Sequence, residues 1–176
     1  YREKDVQLAP GVNIARTPLN GRNFEYMGED PFLVSKIAVP YIKAIQDNGI
    51  AVCVKHFALN NQEYQRDTVN VEVSERALRE IYLPAFKAAV TEAGAWSVMG
   101  AYNKFRGQYC CHNNYLINDI LKGEWKFDGA VISDWSGTKN AYEAAMNGLD
   151  IEMGTLKPYN EYYMADSLLY FVRNGK

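Results

Sequence analysis

The sequence predicts an α/β fold: an incomplete parallel barrel of the (β/α)8 TIM type, with about five strand–helix units. Three observations lead there. Short apolar runs alternate with helical stretches along all 176 residues. The runs, such as Ile50-Ala51-Val52-Cys53-Val54 and Ala130-Val131-Ile132, are not interleaved with polar residues, which is how strands covered on both faces read. A closed eight-stranded barrel takes roughly 250 residues, more than this chain has. A doubly wound open sheet also accommodates five strands, but it carries a glycine-rich phosphate loop after its first strand, and Gly11 lacks that company.

The predicted strands are Gln7 to Ile14, Ile50 to Phe57, Trp96 to Tyr102, Gly129 to Ser133 and Leu149 to Met153. Between the first two, Asp30 caps a helix with Pro31 at its first position. Apolar residues then recur at Leu33, Ile37, Val39, Ile42 and Ile45 until Asn48-Gly49 stops the run. The next helix starts at Ser74, with an inward face of Leu78, Ile81, Tyr82, Ala85, Phe86, Ala89 and Val90, and with Val73 placed to staple onto Leu78. Pro40 and Pro84 each remove a backbone hydrogen bond, so kinks are expected there. Further helices fit Asn114 to Lys122, Thr138 to Asn147 and Asn160 to Asn174. No repeat or low-complexity linker interrupts this array.

Composition narrows the function classes. Hydrophobic residues at 48% and charged residues at 23% describe a folded globular chain, and a formal charge of -2 without a basic run argues against nucleic acid as a partner. Two histidines and three cysteines (Cys53, Cys110, Cys111) lack zinc-type spacing, so no metal or other cofactor is expected. The longest apolar stretch, Ile50 to Val54, is too short to cross a membrane. The chain opens on Tyr1 rather than Met, which leaves localisation and oligomeric state unread.

In a β/α barrel, reactive groups sit where strands end. The fourth run ends Ser133-Asp134-Trp135, a carboxylate beside an indole, although an Asp there also serves as a helix cap. The second run ends Lys55-His56. Neighbours in a strand point to opposite faces, so both reach one ligand only if the backbone turns. The third run supplies Met99 and Tyr102, which as core and rim residues need no further role. The loop after the first run offers Arg22, whose fork of donors can equally pair with Glu25 or Glu29. Together these groups suit a polyhydroxylated ring.

Five segments carry a resemblance that spans nearly the whole chain: Leu8 to Leu33 (LAPGVNIARTPLNGRNFEYMGEDPFL), Val54 to Glu63 (VKHFALNNQE), Val73 to Phe86 (VSERALREIYLPAF), Val98 to Asn103 (VMGAYN) and Gly129 to Trp135 (GAVISDW). Each is moderately specific, and the five in this order are very specific. The sequence resembles glycoside hydrolase family 3, in its β-glucosidase-like branch. The resemblance implies that Asp134 is the nucleophile of a retaining hydrolysis. It implies that Arg22, Lys55 and His56 grip sugar hydroxyls, that Met99, Tyr102 and Trp135 line the same subsite, and that the partner is a β-glucoside or oligosaccharide substrate. Cationic neighbours are then expected to keep Asp134 ionised, and Tyr102 to hydrogen-bond its carboxylate.

The resemblance also implies residues that this chain lacks. The general acid of such a reaction comes from a following α/β sandwich domain, and a substrate-binding Asp comes from barrel strands upstream of Tyr1. Residues 1–176 are therefore expected to be part of an N-terminal barrel domain, inactive alone. The β-N-acetylglucosaminidase branch follows its Lys-His-Phe with a Pro-Gly-His-Gly loop, where this chain has Ala58-Leu59-Asn60-Asn61, and is disfavoured. Two other readings of the residues are a non-catalytic sugar-binding fragment and a Schiff-base lyase using Lys55.

Overall fold

The computed structural model describes residues 5–175. In chain order it places β1 (Val6–Gln7), α1 (Pro31–Gln46), β2 (Ala51–Phe57), β3 (Asn70–Val71), α2 (Glu75–Ala77), α3 (Pro84–Thr91), β4 (Ser97–Gly100), β5 (Lys104–Phe105), β6 (Gln108–Tyr109), β7 (Ala130–Ile132), α4 (Ala141–Met146) and α5 (Leu168–Arg173). A wide-turned helix, Tyr115–Glu124, lies between β6 and β7. The main sheet runs β1-β2-β4-β7, every pair parallel. Parallel neighbours require a crossover, and α1, α3 and Tyr115–Glu124 supply three in succession. Past β7 the chain returns as one bridge, Ile132 to Ile151, with Ser133 N donating to Ile151 O at 2.8 Å. The arc stays open.

Both faces of this arc are buried, which is why its strands read as unbroken apolar runs. Val52, Val54, Phe57, Val98 and Val131 pack outward against Ala38, Ile42, Ala85, Phe86, Ile120 and Leu121 of the helices. Phe57 meets Phe86 and Trp125 edge-on, with ring centroids 5.2 and 6.0 Å apart. Cys53, Met99 and Ile132 form a separate cluster on the inner face, with Leu8 and Met153 against it. Val52 and Val54 of β2 thus serve one core and Cys53 between them the other, and past the register shift Phe57 rejoins the first.

Side-chain caps start the helices, at Asp30 and Ser74 where the sequence places them and at Asn140 later than it does. Asp30 accepts from Leu33 N, Ser74 from Ala77 N and Asn140 from Glu143 N. Val73 and Leu78 both join the outer core. Helix α1 continues through Pro40. Pro84 does not kink a helix; after the wide turn Leu78–Tyr82 it opens α3 at its first position, where a missing N–H costs no intrahelical bond.

Three other expectations need correction. The first strand is not continuous from Gln7 to Ile14: β1 ends at Gln7, the Ala9–Pro10 peptide is cis, and pairing resumes only around Gly11 and Val12. The helix expected from Thr138 begins at Ala141, because Asn140 stays extended to cap it. The segment Asn160 to Asn174 is broken at Met164 and Ala165, and of it only Leu168–Arg173 is α-helical. No residue of that last helix is buried, so nothing there enforces one straight rod.

A small sheet, β3-β5-β6, was not anticipated. Its hairpin turns through Arg106 and Gly107, both at positive φ (49° and 86°), which suits the twist of two antiparallel strands. Among the described residues no helix is long and apolar enough to cross a membrane.

Candidate active site

Asp134 lies two residues past β7 and is 4% exposed. Its loop is pinned on both sides: Gly137 N donates to Asp134 O at 2.9 Å, Ser136 N to Met153 O at 2.8 Å, and Met153 N to Ser133 Oγ at 2.8 Å. Asp134 Oδ1 accepts from Trp135 N at 2.8 Å, while Oδ2 has no hydrogen-bond donor. Facing Oδ2 are His56 Nε2 at 3.5 Å and the Arg22 guanidinium at 3.9 Å.

The backbone does turn at Lys55-His56, as the two residues needed. The pairing of β2 with β4 slips between Val54 and Phe57, and the Lys55–His56 peptide is cis. His56 is locked through its main chain, its N donating to Asn13 Oδ1 at 2.7 Å and its O accepting from Asn13 Nδ2 at 2.9 Å. Lys55 Nζ instead meets Glu25 Oε2 at 2.9 Å, and the same carboxylate accepts from Arg22 Nε. Both readings of Arg22 are therefore realised: it pairs with Glu25 and also faces Asp134.

Burial dominates the electrostatics. It pushes the Asp134 carboxyl above its ordinary value, against the opposing effects of the Trp135 N–H and the Arg22 guanidinium. The cations expected to favour its ionised form do so, but burial outweighs them in the net direction. Burial, reinforced by Arg22, Lys55 and Arg66, pushes the His56 imidazole down to about 2, so the ring is neutral. For Glu25 burial is outweighed, and Arg22 and Lys55 hold its carboxyl below the usual range.

Arg22, Lys55, His56 and Asp134 thus converge, with Glu25 as the link to Lys55. Tyr102 stands beside them: its hydroxyl donates to the Trp135 carbonyl at 2.9 Å, and it lies close enough to the Asp134 carboxylate to favour the ionised form. The Trp135 indole is 47% exposed, a flat face open to a ligand. Met99 is only 2% exposed and packs with Cys53 and Ile132, beneath the other residues.

Sequence reasoning missed Arg66, which lies 4.5 Å over the Tyr102 ring, and the buried pair Tyr26 and Asn60 behind His56. Glu25 and Tyr26 stand in the stretch Leu8 to Leu33 and Asn60 in the stretch Val54 to Glu63, but only contact distances reveal their partners. Arg66, Tyr102, Trp135, Ser136, Lys139 and Leu156 are among the residues lining a cavity of about 410 Å³ beside the carboxylate. Among the described residues no cluster of His, Cys, Asp and Glu could hold a metal ion.

Comparison with known proteins gives the chain a family. Residues 3–176 match the model of the glycosyl hydrolase family 3 N-terminal domain. The chain belongs to that family. It is 62% identical to a β-glucosidase of Bacteroides ovatus over 100% of its own length and 25% of that protein's. It is 51% identical to thermostable β-glucosidase B of Acetivibrio thermocellus over 85% of its length and 20% of that protein's. The structure of β-glucosidase 3B from Thermotoga neapolitana in complex with glucose superposes with a TM-score of 0.90 at 44% identity, covering 97% of this chain and 24% of that one. The chain therefore spans about a quarter of the length of these relatives. Family membership identifies the open parallel arc as part of a (β/α)8 barrel.

Proposed function

We propose that residues 1–176 form part of the N-terminal barrel domain of a retaining glycoside hydrolase that removes terminal β-D-glucosyl, or β-xylosyl, residues. The observation that carries this reading is the unpaired Oδ2 of Asp134, buried and facing His56 and Arg22. An oxygen with no hydrogen bond of its own keeps a lone pair for an anomeric carbon. Attack by Oδ2 forms the C1–O bond of a glycosyl ester while the glycosidic oxygen leaves with a proton from a general acid. Water then cleaves the ester with net retention.

Glu25 does not supply that acid, because Arg22 and Lys55 hold it in the ionised form. In this proposal the acid comes from outside the described residues, so these residues alone bind sugar without turning it over. The Schiff-base alternative is disfavoured by geometry: Lys55 Nζ is engaged by Glu25 Oε2 at 2.9 Å.

The test is Asp134→Asn in the full-length protein, assayed on aryl β-glucosides. Turnover is expected to fall by several orders of magnitude while glucose binding, measured by calorimetry, survives. Turnover near the parent value would remove Asp134 from the mechanism.

A further inference from the structure

Behind His56 sits a buried tyrosine that the proposed chemistry leaves without a role. Tyr26 is 8% exposed and meets the imidazole edge-on, with ring centroids 6.1 Å apart. Its hydroxyl lies between two partners, Asn60 Nδ2 at 2.7 Å and His56 Nδ1 at 3.1 Å. A hydroxyl has one proton, and a buried O–H left without an acceptor is costly, so with that proton given to one of these two partners the chain Asn60–Tyr26–His56 runs in one of two directions.

In one direction Asn60 donates to the tyrosine oxygen, Tyr26 donates to Nδ1, and the neutral imidazole carries its proton on Nε2. In the other the amide is reversed and accepts from Tyr26, Nδ1–H donates to Tyr26, and Nε2 presents a bare lone pair. The far end of the ring decides between them. Nε2 is 3.5 Å from Asp134 Oδ2, a carboxylate oxygen with no donor. A lone pair there would oppose a buried negative charge, whereas an N–H complements it.

We propose that Tyr26, oriented by Asn60, is a positioning residue that fixes His56 as the Nε2–H tautomer aimed at Asp134 and at a sugar hydroxyl beside it. The inference rests on the reading of Asp134 as nucleophile and deepens it by giving His56 one role, a fixed neutral donor. Two observations agree: burial keeps the Tyr26 phenol protonated, and it keeps the imidazole neutral, so the direction of the chain does not titrate away. With the His56 backbone tied to Asn13, the Tyr26 hydroxyl is the one hydrogen-bond partner of Nδ1 among the described residues.

The experiment is long-range ¹H–¹⁵N NMR of the full-length protein labelled with [¹⁵N]histidine, with His56→Gln to assign the ring. The parent should show His56 protonated at Nε2 and bare at Nδ1. Tyr26→Phe keeps the ring but removes the hydroxyl, and should give a mixture of tautomers with kcat/KM lower by about tenfold or more, the loss expected for one mispaired buried group. Asn60→Asp, ionised, accepts from Tyr26 where the amide donated, and should reverse the chain and give the Nδ1–H tautomer. If Tyr26→Phe fails to fold, the parent spectrum and Asn60→Asp decide. An Nδ1–H tautomer in the parent, or an unchanged tautomer in both variants, overturns the inference. Undiminished turnover of Asp134→Asn would sink the hydrolase reading instead and leave the tautomer result standing.

Discussion

Lys55 Nζ and Glu25 Oε2 are 2.9 Å apart, and the Glu25 carboxylate also holds Arg22 through Nε. One acidic side chain from the short turn Asn23–Glu25 thereby orients two cations from different parts of the chain. All three side chains are mostly buried, so their geometry is fixed more firmly than that of a surface pair.

Glu25→Gln removes the negative charge and leaves two cations facing each other. In the full-length protein, KM for an aryl β-glucoside is expected to rise about tenfold or more as Lys55 and Arg22 lose their common anchor. Uncompensated positive charge also favours ionised Asp134, so the acid limb of kcat/KM should move to lower pH. Steady-state kinetics across pH checks both, and an unchanged KM would show that Glu25 orients nothing.

Asp134 contributes to stability with the opposite sign from a paired surface carboxylate. Its folded-state pKa is raised, chiefly by burial, so the fold disfavours its charged form. The penalty is absent below the unfolded pKa and fully present above the folded one. Asp134→Asn should therefore raise the melting temperature at neutral pH, with the gain shrinking as pH falls through the raised value. Thermal melts at acidic and neutral pH test this; a variant less stable than the parent at neutral pH would contradict it.

Gly100 closes β4 against the backbone of Cys111. A Cβ added there would sit 2.6 Å from Cys111 Cα, a main-chain atom that cannot rotate away. Gly100→Ala should destabilise by about 1–3 kcal/mol, the usual range for overpacking. Because Gly100 pairs with Phe57 just beyond Lys55-His56, sugar affinity should weaken as well. Melting and calorimetric titration with glucose measure the two effects, and a parent-like melt would refute the close contact.

How far the sequence carried depends on which force fixes each element. β2, β4 and β7 were legible because burial on two faces leaves a run of apolar residues, and the caps Asp30 and Ser74 because their side chains act locally. The Arg106-Gly107 hairpin escaped notice because two-residue strands have no periodicity to read. The site divides the same way. Asp134, Arg22, Lys55 and His56 stand at strand ends or in recognisable segments. The links through Glu25, Tyr26, Asn60 and Arg66 are contacts between distant parts of the chain, visible only as distances. The raised pKa of Asp134 was missed for the same reason: neighbouring cations can be read from sequence, whereas the depth of burial that outweighs them cannot.

Covalent trapping tests the account most directly. The full-length protein, incubated with a 2-deoxy-2-fluoro β-glucoside, should accumulate a stable glycosyl ester, and digestion followed by mass spectrometry should place it on the peptide containing Ser133-Asp134-Trp135, at Asp134. A label on any other residue, or inactivation without a covalent adduct, would contradict the central claim.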